Sequence, residues 1–407
     1  MTETAAEVRR RAGLVLEAGA QLRNASVDER ASWLADAANA LLHEAGRRRE
    51  ALSDATGLSA PMVDWAARTT LETVRRDALL QLAAEARSAV PGNPDPIAML
   101  SVVLAGNVFT APIRGILVPL LLGVPVLVKT SSSEVSFPAM LQDALHSTHD
   151  RLAKSMGLLS FRGGDQECER ALVENAEALS VYGRDETVAA IAARSGDTPI
   201  IEHGHGVSVA FCGADSLDER RLGETLRNLA LDICAYDQRG CLSPQVVYVE
   251  ETQTLRARDF ARRLAQDALD PLSSTLPRGP LPVSVGAEQA QWRGIAEVEG
   301  SLVRGEGYAL AIRPALPSRW SPAYRNVTIA PVRGVEEATL AMEPMGSNLK
   351  CVGTDQGSTA ELGRHIERIP TLQAYTCPIG TMQTPALDAP ADGRPIWHGL
   401  LRPARDS

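Results

Sequence analysis

From residue 98 onward the chain alternates short, largely apolar runs with helical stretches, and this alternation narrows the fold more than any other feature. Apolar runs fall at 98–104, 124–128, 178–182, 199–201 and 207–211, with helical stretches at 139–145, 168–176 and 186–193 between them. A strand with no polar alternation must be covered on both faces, and strands that alternate with helices pair in parallel. The second half repeats the mixture, with strands expected at 245–249, 308–312, 327–332, 349–353 and 372–375 and helices over 218–231 and 255–269. The predicted class is α/β, with two α/β domains, the first of dinucleotide-binding outline.

A length of 407 residues exceeds what one hydrophobic core usually serves. The expected division is 1–206 (N-terminal helices and a cofactor domain), 207–379 (a second α/β domain) and 380–407 (a Pro-rich tail with at most a short strand). The first ninety or so residues read as helices expected to pack on a sheet. Ser26-Val27-Asp28-Glu29 is a capping box, and Trp33, Leu34, Ala37, Leu41 and Ala45 follow it as one apolar stripe. A second stripe holds Leu71, Val74, Leu79 and Leu82. Pro91-Gly92-Asn93-Pro94-Asp95-Pro96 is a turn-rich break before the first strand.

Charge and apolar patterning exclude several classes of function. A net charge of −9 argues against nucleic-acid binding, which needs a concentrated basic face. The Arg47-Arg48-Arg49 run reads as a solvated helix end. No apolar stretch reaches the roughly 20 residues of a membrane span, and the segment from Ile116 to Val128 is broken by Pro119, Gly123 and Pro125. Glu17 interrupts the apolar segment near the N-terminus, which makes a poor secretion signal. The six cysteines have no Cys-x-x-Cys spacing, which fits a reducing compartment, and the expected location is the cytoplasm. Glu202-His203-Gly204-His205 lacks a partner cluster, so no metal site is expected.

Cys241 is the most informative single residue. It lies in Asp237-Gln238-Arg239-Gly240-Cys241-Leu242-Ser243-Pro244-Gln245, directly before the apolar run Val246-Val247-Tyr248-Val249. A thiol on a Gly-preceded loop at the mouth of a strand is either a nucleophile able to hold an acyl group as a thioester or a loop cysteine with no role. No Gly-x-Gly-x-x-Gly follows the first strand, so a dinucleotide is bound without that fingerprint or not at all.

Four segments, in order, resemble the aldehyde dehydrogenase superfamily, and within it the fatty acyl-CoA reductase (LuxC-like) family. They are Ala105-Gly106-Asn107-Val108 with Val126-Leu127-Val128-Lys129-Thr130-Ser131-Ser132-Ser133, then Val181-Tyr182-Gly183-Arg184, the Cys241 segment, and Met342-Glu343-Pro344-Met345-Gly346. Gly380-Thr381-Met382-Gln383-Thr384-Pro385 and Asp392-Gly393-Arg394-Pro395 are similar to the acyl-CoA reductase ending. This superfamily binds its nicotinamide cofactor without the Gly-rich fingerprint.

The resemblance implies a chemistry residue by residue. Cys241 is the nucleophile, and Asn107 joins the Cys241 backbone N–H in holding the oxyanion, such donors being worth about 3–4 kcal/mol each. From its own sequence setting Asn107 reads as a turn residue after a strand, and Lys129 as a surface lysine at a strand end. By resemblance Lys129 contacts the adenine-side ribose. Ser132 stands where relatives that prefer NAD often carry an acid, which favours NADPH, with NADH possible. Gly183 and Arg184 face the pyrophosphate at a helix start, and Glu343 holds the nicotinamide ribose. Glu202 keeps the spacing of a glutamate that activates water in hydrolytic relatives but lacks the second glycine after it. It either serves as a base or is turned outward.

The expected function is NADPH-dependent reduction of an acyl thioester, on CoA or an acyl carrier protein, to an aldehyde through a Cys241 thioester. Oxidation of an aldehyde to an acid is the alternative, and a non-catalytic nucleotide- or partner-binding protein is the alternative of another class. The apolar stretch 117–122 is a candidate lining for an acyl chain. Family resemblance also implies a homo-oligomer, with the tail beyond Gly380 as a candidate pairing segment.

Overall fold

Most of the unalternating apolar runs become strands with both faces buried, as their composition requires, while the run at 199–201 becomes a half-exposed strand. A computed structural model describes residues 3–314 and 320–404. The chain divides into two units: Met1–Thr56, Val63–His205 and Ala386–Ser407 form one, and Gly57–Met62 with Gly206–Pro385 form the other.

In the first unit, β1 (Asp95–Pro96) precedes β2 (Leu100–Val103), β3 (Val126–Lys129), β4 (Met156–Leu159), β5 (Ala178–Tyr182) and β6 (Ile200–His203). The last five form a sheet of order β4-β3-β2-β5-β6 with every pairing parallel. The order reverses between β2 and β5, and in open parallel sheets such a switch point leaves a crevice at the carboxyl ends of the strands. Helices Ala5–Arg23, Gln166–Glu174 and Asp185–Ser195 bring Val8, Ala12, Leu172 and Val188 against Leu127, Leu179 and Val181 of the sheet.

The helix Pro112–Leu122 is buried at every position except Arg114. A helix apolar all round belongs in an interior. Its residues 117–122 are therefore engaged in core packing.

The capping box forms as read: Glu29 N–H donates to Ser26 Oγ at 3.2 Å, and Ser26 N–H donates to Glu29 Oε2 at 2.8 Å. Its helix, Val27–Arg47, buries Leu34, Ala37, Leu41 and Ala45. That face packs on helices Arg76–Ser88, Pro112–Leu122 and Ser136–Thr148. It thus adds a helix-on-helix layer where direct packing on the sheet was expected, while the Ala5–Arg23 helix does rest on β3 and β4.

The second unit holds β7 (Val207–Cys212), β8 (Pro244–Glu250), β9 (Leu302–Gly305), β10 (Tyr308–Ile312), β11 (Asn326–Val332), β12 (Leu349–Thr354) and β13 (Tyr375–Pro378). Their order is β13-β12-β7-β8-β11-β10-β9, parallel except for β9 against β10. Helix Glu219–Cys234 covers one face through Leu222, Leu226, Leu229 and Ile233, and helices Val335–Met342 and Thr359–Glu367 cover the other. A final strand, β14 (Leu401–Arg402), pairs antiparallel with β1 in the first unit.

Three local differences from the sequence reading have physical reasons. The strand expected at 372–375 lies further on, because β13 takes its register from Cys351–Thr354 of β12 while Leu372 turns into the core. Strand β4 was not expected. Its Gly157 lowers strand propensity, yet a Cβ there would meet Val15 at 2.7 Å and Leu127 at 2.9 Å, so the helix packing demands glycine. The helix expected at 255–269 changes at Leu264 from α to a π turn through Leu269.

Arg30 ties the N-terminal helices to the core. It is buried and donates to the carbonyls of Leu121 at 2.8 Å, Leu22 at 3.2 Å and Ala25 at 2.5 Å, which lie at or just past helix ends. Burial lowers its pKa to about 10, which leaves it charged at neutral pH. Replacing it by methionine strips these carbonyls, and the expected loss is about 2–3 kcal/mol, read from urea midpoints at unchanged m-value.

Candidate active site

Cys241 is exposed, at the amino end of β8, and the backbone before it is strained. Helix Glu219–Cys234 ends, and then Tyr236, Asp237 and Gln238 all take left-handed φ of 52°, 53° and 58°. Three such residues in a row, none glycine, each cost of order 1–3 kcal/mol and persist only where surrounding contacts over-determine them.

Those contacts are present and buried. Asp237 Oδ1 accepts from Arg325 Nε at 3.1 Å and Nη2 at 2.7 Å, while Oδ2 accepts from the Gly279 N–H at 2.9 Å. Arg325 also donates to the Leu276 carbonyl at 2.9 Å. Both side chains are almost fully buried, at 2% and 1% exposure for Asp237 and Arg325. Arg325 closes a second left-handed run, Ala323, Tyr324 and Arg325, with φ of 55°, 51° and 65°. Gln238 joins the two runs. Its Nε2 donates to the carbonyls of Pro244 at 2.8 Å and Asn326 at 2.9 Å, and its Oε1 accepts from the Asn326 N–H at 2.8 Å.

The far side of the loop is held too. The Ser208 hydroxyl donates to the Cys241 carbonyl at 2.7 Å, and the Ser243 hydroxyl donates to Gln383 Oε1 at 3.2 Å. Gln383 lies in a turn whose Gly380 and Met382 amides donate to the buried Asp232 carboxylate at 2.5 Å and 3.1 Å. The thiols differ in access: Cys168, Cys212, Cys234 and Cys351 are buried, and burial raises the pKa of each, to about 11 for Cys168 and Cys234. The Cys241 sulfur is the exposed one among the six. Glu343, also exposed, opens the turn Glu343–Asn348 that leads into β12. Strands β8 and β12 flank β7 in parallel, so Cys241 and Glu343 stand at the same edge of one sheet.

In the first unit the remaining candidates gather at the carboxyl edge of its sheet. Asn107 is exposed on the loop after β2, Lys129 ends β3, and Ser132 is exposed on the turn that follows. Gly183 and Arg184 follow β5, and Glu202 lies near the end of β6. Gly106 sets the spacing of the first two loops. A Cβ there would come within 2.6 Å of Ser131 Oγ and closer still to Ser133 Oγ, so only glycine lets the Asn107 and Ser132 loops pack together.

A cavity of about 230 Å³ opens at the switch point, lined by Val103, Lys129, Gly163, Gly164, Thr187 and Arg194 among others. Lys129 is buried, with Nζ 5.6 Å from the Phe161 ring centre, and burial lowers its pKa, partly offset by Glu169. Glu169 accepts from the Gly164 N–H at 2.7 Å and from Arg194 at 2.8 Å, which fixes the glycine loop. A Cβ on Gly163 or Gly164 would project into open space. An ammonium, a glycine cradle and a helix start at a switch point suit the ribose and ring of a dinucleotide. Arg184 caps helix Asp185–Ser195 without a side-chain bond, and Asp185 and Glu186 in its first turn already complement the helix dipole. Any anion there must draw its positive charge from the exposed Arg184 side chain.

Glu202 is exposed, and its carbonyl accepts from Arg394 at 2.8 Å. Its neighbour His203 points elsewhere: Nδ1 lies 2.5 Å from Asp392, and the ring stacks on Tyr182 at 4.1 Å. Sequence reasoning missed Asp237, Gln238, Arg325 and Asn326 as a unit. The first two sit inside the Cys241 segment, but their partners lie 88 residues away and carry no local signal. It also missed Glu169, Thr187 and Arg194, which read as ordinary helix-face residues.

A family model described as acyl-CoA reductase (LuxC) matches residues 22–394. Among curated proteins no match is found. Solved structures match over nearly the full chain. A salicylaldehyde dehydrogenase from Pseudomonas putida G7, complexed with salicylaldehyde, has a TM-score of 0.73 at 14% identity, covering 99% of this chain and 88% of that one. Aldehyde dehydrogenase C from Pseudomonas syringae, complexed with NAD+ and octanal, has a TM-score of 0.69 at 14% identity, covering 92% and 82%. An NADP-dependent glyceraldehyde-3-phosphate dehydrogenase from Bacillus halodurans C-125, complexed with NADP, has a TM-score of 0.67 at 15% identity, covering 92% and 83%. The fold is that of aldehyde dehydrogenases.

Two outcomes are expected from the Cys241 framework. Asp237→Asn leaves a buried guanidinium uncompensated, and the expected loss is about 3–5 kcal/mol by denaturant unfolding, with a changed rate of iodoacetamide labelling at Cys241. Burial raises the Asp232 carboxyl to about 7 in the folded chain, against about 3.9 unfolded. The folded state then holds the proton more tightly, so this group's contribution is full below about pH 4 and is lost as pH rises to about 7. Asp232→Asn is expected to flatten the stability profile across that window, measured by urea unfolding at each pH.

Proposed function

The chain belongs to the acyl-CoA reductase (LuxC) family, and from that premise we propose that it reduces an acyl thioester, on CoA or an acyl carrier protein, to an aldehyde with NADPH. The observation that carries this reading is the exposed Cys241 thiol on a strained loop held by buried polar contacts. Such a loop spends folding energy to fix a sulfur in the open, which suits a nucleophile and not a packing residue.

Cys241 attacks the thioester carbonyl and takes the acyl group as its own thioester, while the CoA or carrier thiol leaves with a proton. The Cys241 N–H and the Asn107 amide are assigned to the oxyanion, and Glu202 to acceptance of the thiol proton. Lys129, Ser132, Gly183, Arg184 and Glu343 are assigned to holding the dinucleotide. The nicotinamide, when bound, would supply a hydride to the acyl carbon; the bond from that carbon to the Cys241 sulfur then breaks, the aldehyde leaves and the Cys241 thiol regains its proton. Ser132 has no charge to oppose a 2′-phosphate, and the Lys129 ammonium can pair with one. That is the basis for NADPH over NADH.

The test is a pair of incubations: fatty acyl-CoA with NADPH, and the matching aldehyde with NAD+ or NADP+ without CoA. Oxidation of NADPH in the first is expected, and rapid turnover confined to the second would defeat the proposal. Cys241→Ser is expected to abolish turnover, and Asn107→Ala to lower kcat about 10²–10³-fold with KM little changed. Ser132→Glu is expected to raise the KM for NADPH about tenfold or more through repulsion of the 2′-phosphate, with little effect on NADH.

A further inference from the structure

Two other cysteines of the second unit face each other across neighbouring strands. Cys351 on β12 and Cys377 on β13 place their sulfurs 3.3 Å apart. The strands run parallel, with Cys351 opposite Tyr375 and Cys377 opposite Gly353, so the two thiols are diagonal neighbours. Cys351 is fully buried and Cys377 half-buried, so Cys377 is the more accessible of the two. Burial, reinforced by Cys377, keeps the Cys351 thiol well above its ordinary pKa and so protonated.

Strand β13 runs directly into the turn that buttresses the Cys241 loop. Cys377 is followed within a few residues by Gly380 and Met382, whose amides bind Asp232, and by Gln383, which accepts from Ser243 at 3.2 Å. Met382 packs against the same seam, since a Cβ on Gly353 would meet its Sδ at 2.5 Å.

We propose that Cys351 and Cys377 are a reversible dithiol–disulfide site, oxidised by hydrogen peroxide, and that the bond resets the turn supporting Cys241. The half-buried Cys377 sulfur attacks one peroxide oxygen. An S–O bond forms, the O–O bond breaks, and one water leaves. The Cys351 sulfur then attacks Cys377, the S–S bond forms, and the S–O oxygen departs as a second water with the Cys351 proton. The two sulfurs lose two electrons and the peroxide gains them. Closing the bond brings the sulfurs about 1.2 Å nearer, and β13 and its turn must follow. A bond that must pull an edge strand diagonally is strained, hence readily reduced by small thiols, as suits a transient disulfide in a reducing compartment. This inference does not depend on the acyl-reductase reading.

The full-length protein is treated with hydrogen peroxide, blocked with N-ethylmaleimide and digested without reductant. A linked Cys351–Cys377 peptide, removed by dithiothreitol, is expected in the mass spectrum. In Cys351→Ser the link is lost and Cys377 accumulates as sulfinic acid. The labelling rate of Cys241 by iodoacetamide is expected to shift severalfold on oxidation of the wild type and not of Cys351→Ser, a comparison that removes direct attack of peroxide on Cys241. Over-oxidised Cys377 beside a Cys351 thiol in the wild type overturns the proposal. A linked pair with an unshifted Cys241 rate overturns the coupling.

Discussion

The buried pair of Asp237 and Arg325 is the contact on which the Cys241 loop depends. Each residue lies in a left-handed run of three, and each run is unfavourable alone. Pairing them, with Gln238 bridging to Asn326 and Pro244, ties two strained turns into one hydrogen-bonded unit. A charge pair in such a place adds little net stability, because desolvation offsets the attraction. What it supplies is a single allowed backbone path into β8, so the thiol four residues later starts from a fixed point. Ser208 and Gln383 then hold the loop from its other side.

The first unit solves a comparable problem by omission of side chains. Gly106 lets the loop after β2 lie on the serines after β3, and Gly163 and Gly164 leave the cavity at the switch point open. Lys129 brings a charge into this setting at an energetic cost, since burial disfavours its charged form. A group that gains from a partner in the cavity is suited to recognising an oxygen-rich ligand there. Of two solved structures with this fold, one is complexed with NAD+ and one with NADP, so the fold alone does not select between them.

Much of the fold was legible because parallel strands buried on both faces need continuous apolar sequence. The runs at β2, β3, β5, β7, β8, β10, β11 and β12 all announce themselves in this way. Strand β4 did not, because its glycine answers to a neighbouring helix and not to strand propensity. Strand β13 was displaced because register with β12 decides where it starts. The exposed thiol was legible from its Gly-Cys loop before an apolar run. Its support was not, because Arg325 and Asn326 lie 88 residues from Asp237 and Gln238 and carry no local signal until the fold brings them together. Helix positions such as Glu169 and Arg194 gave no sign of the cavity they line, since amphipathic spacing alone accounts for them.

The most direct test is to mix the protein with a fatty acyl-CoA in the absence of any nicotinamide cofactor and weigh the intact chain. A gain of one acyl group, located by peptide mapping at Cys241 and released by hydroxylamine as a thioester, is the predicted result. An unmodified Cys241, or an acyl group carried on any other residue, would contradict the assignment of this sulfur as the nucleophile.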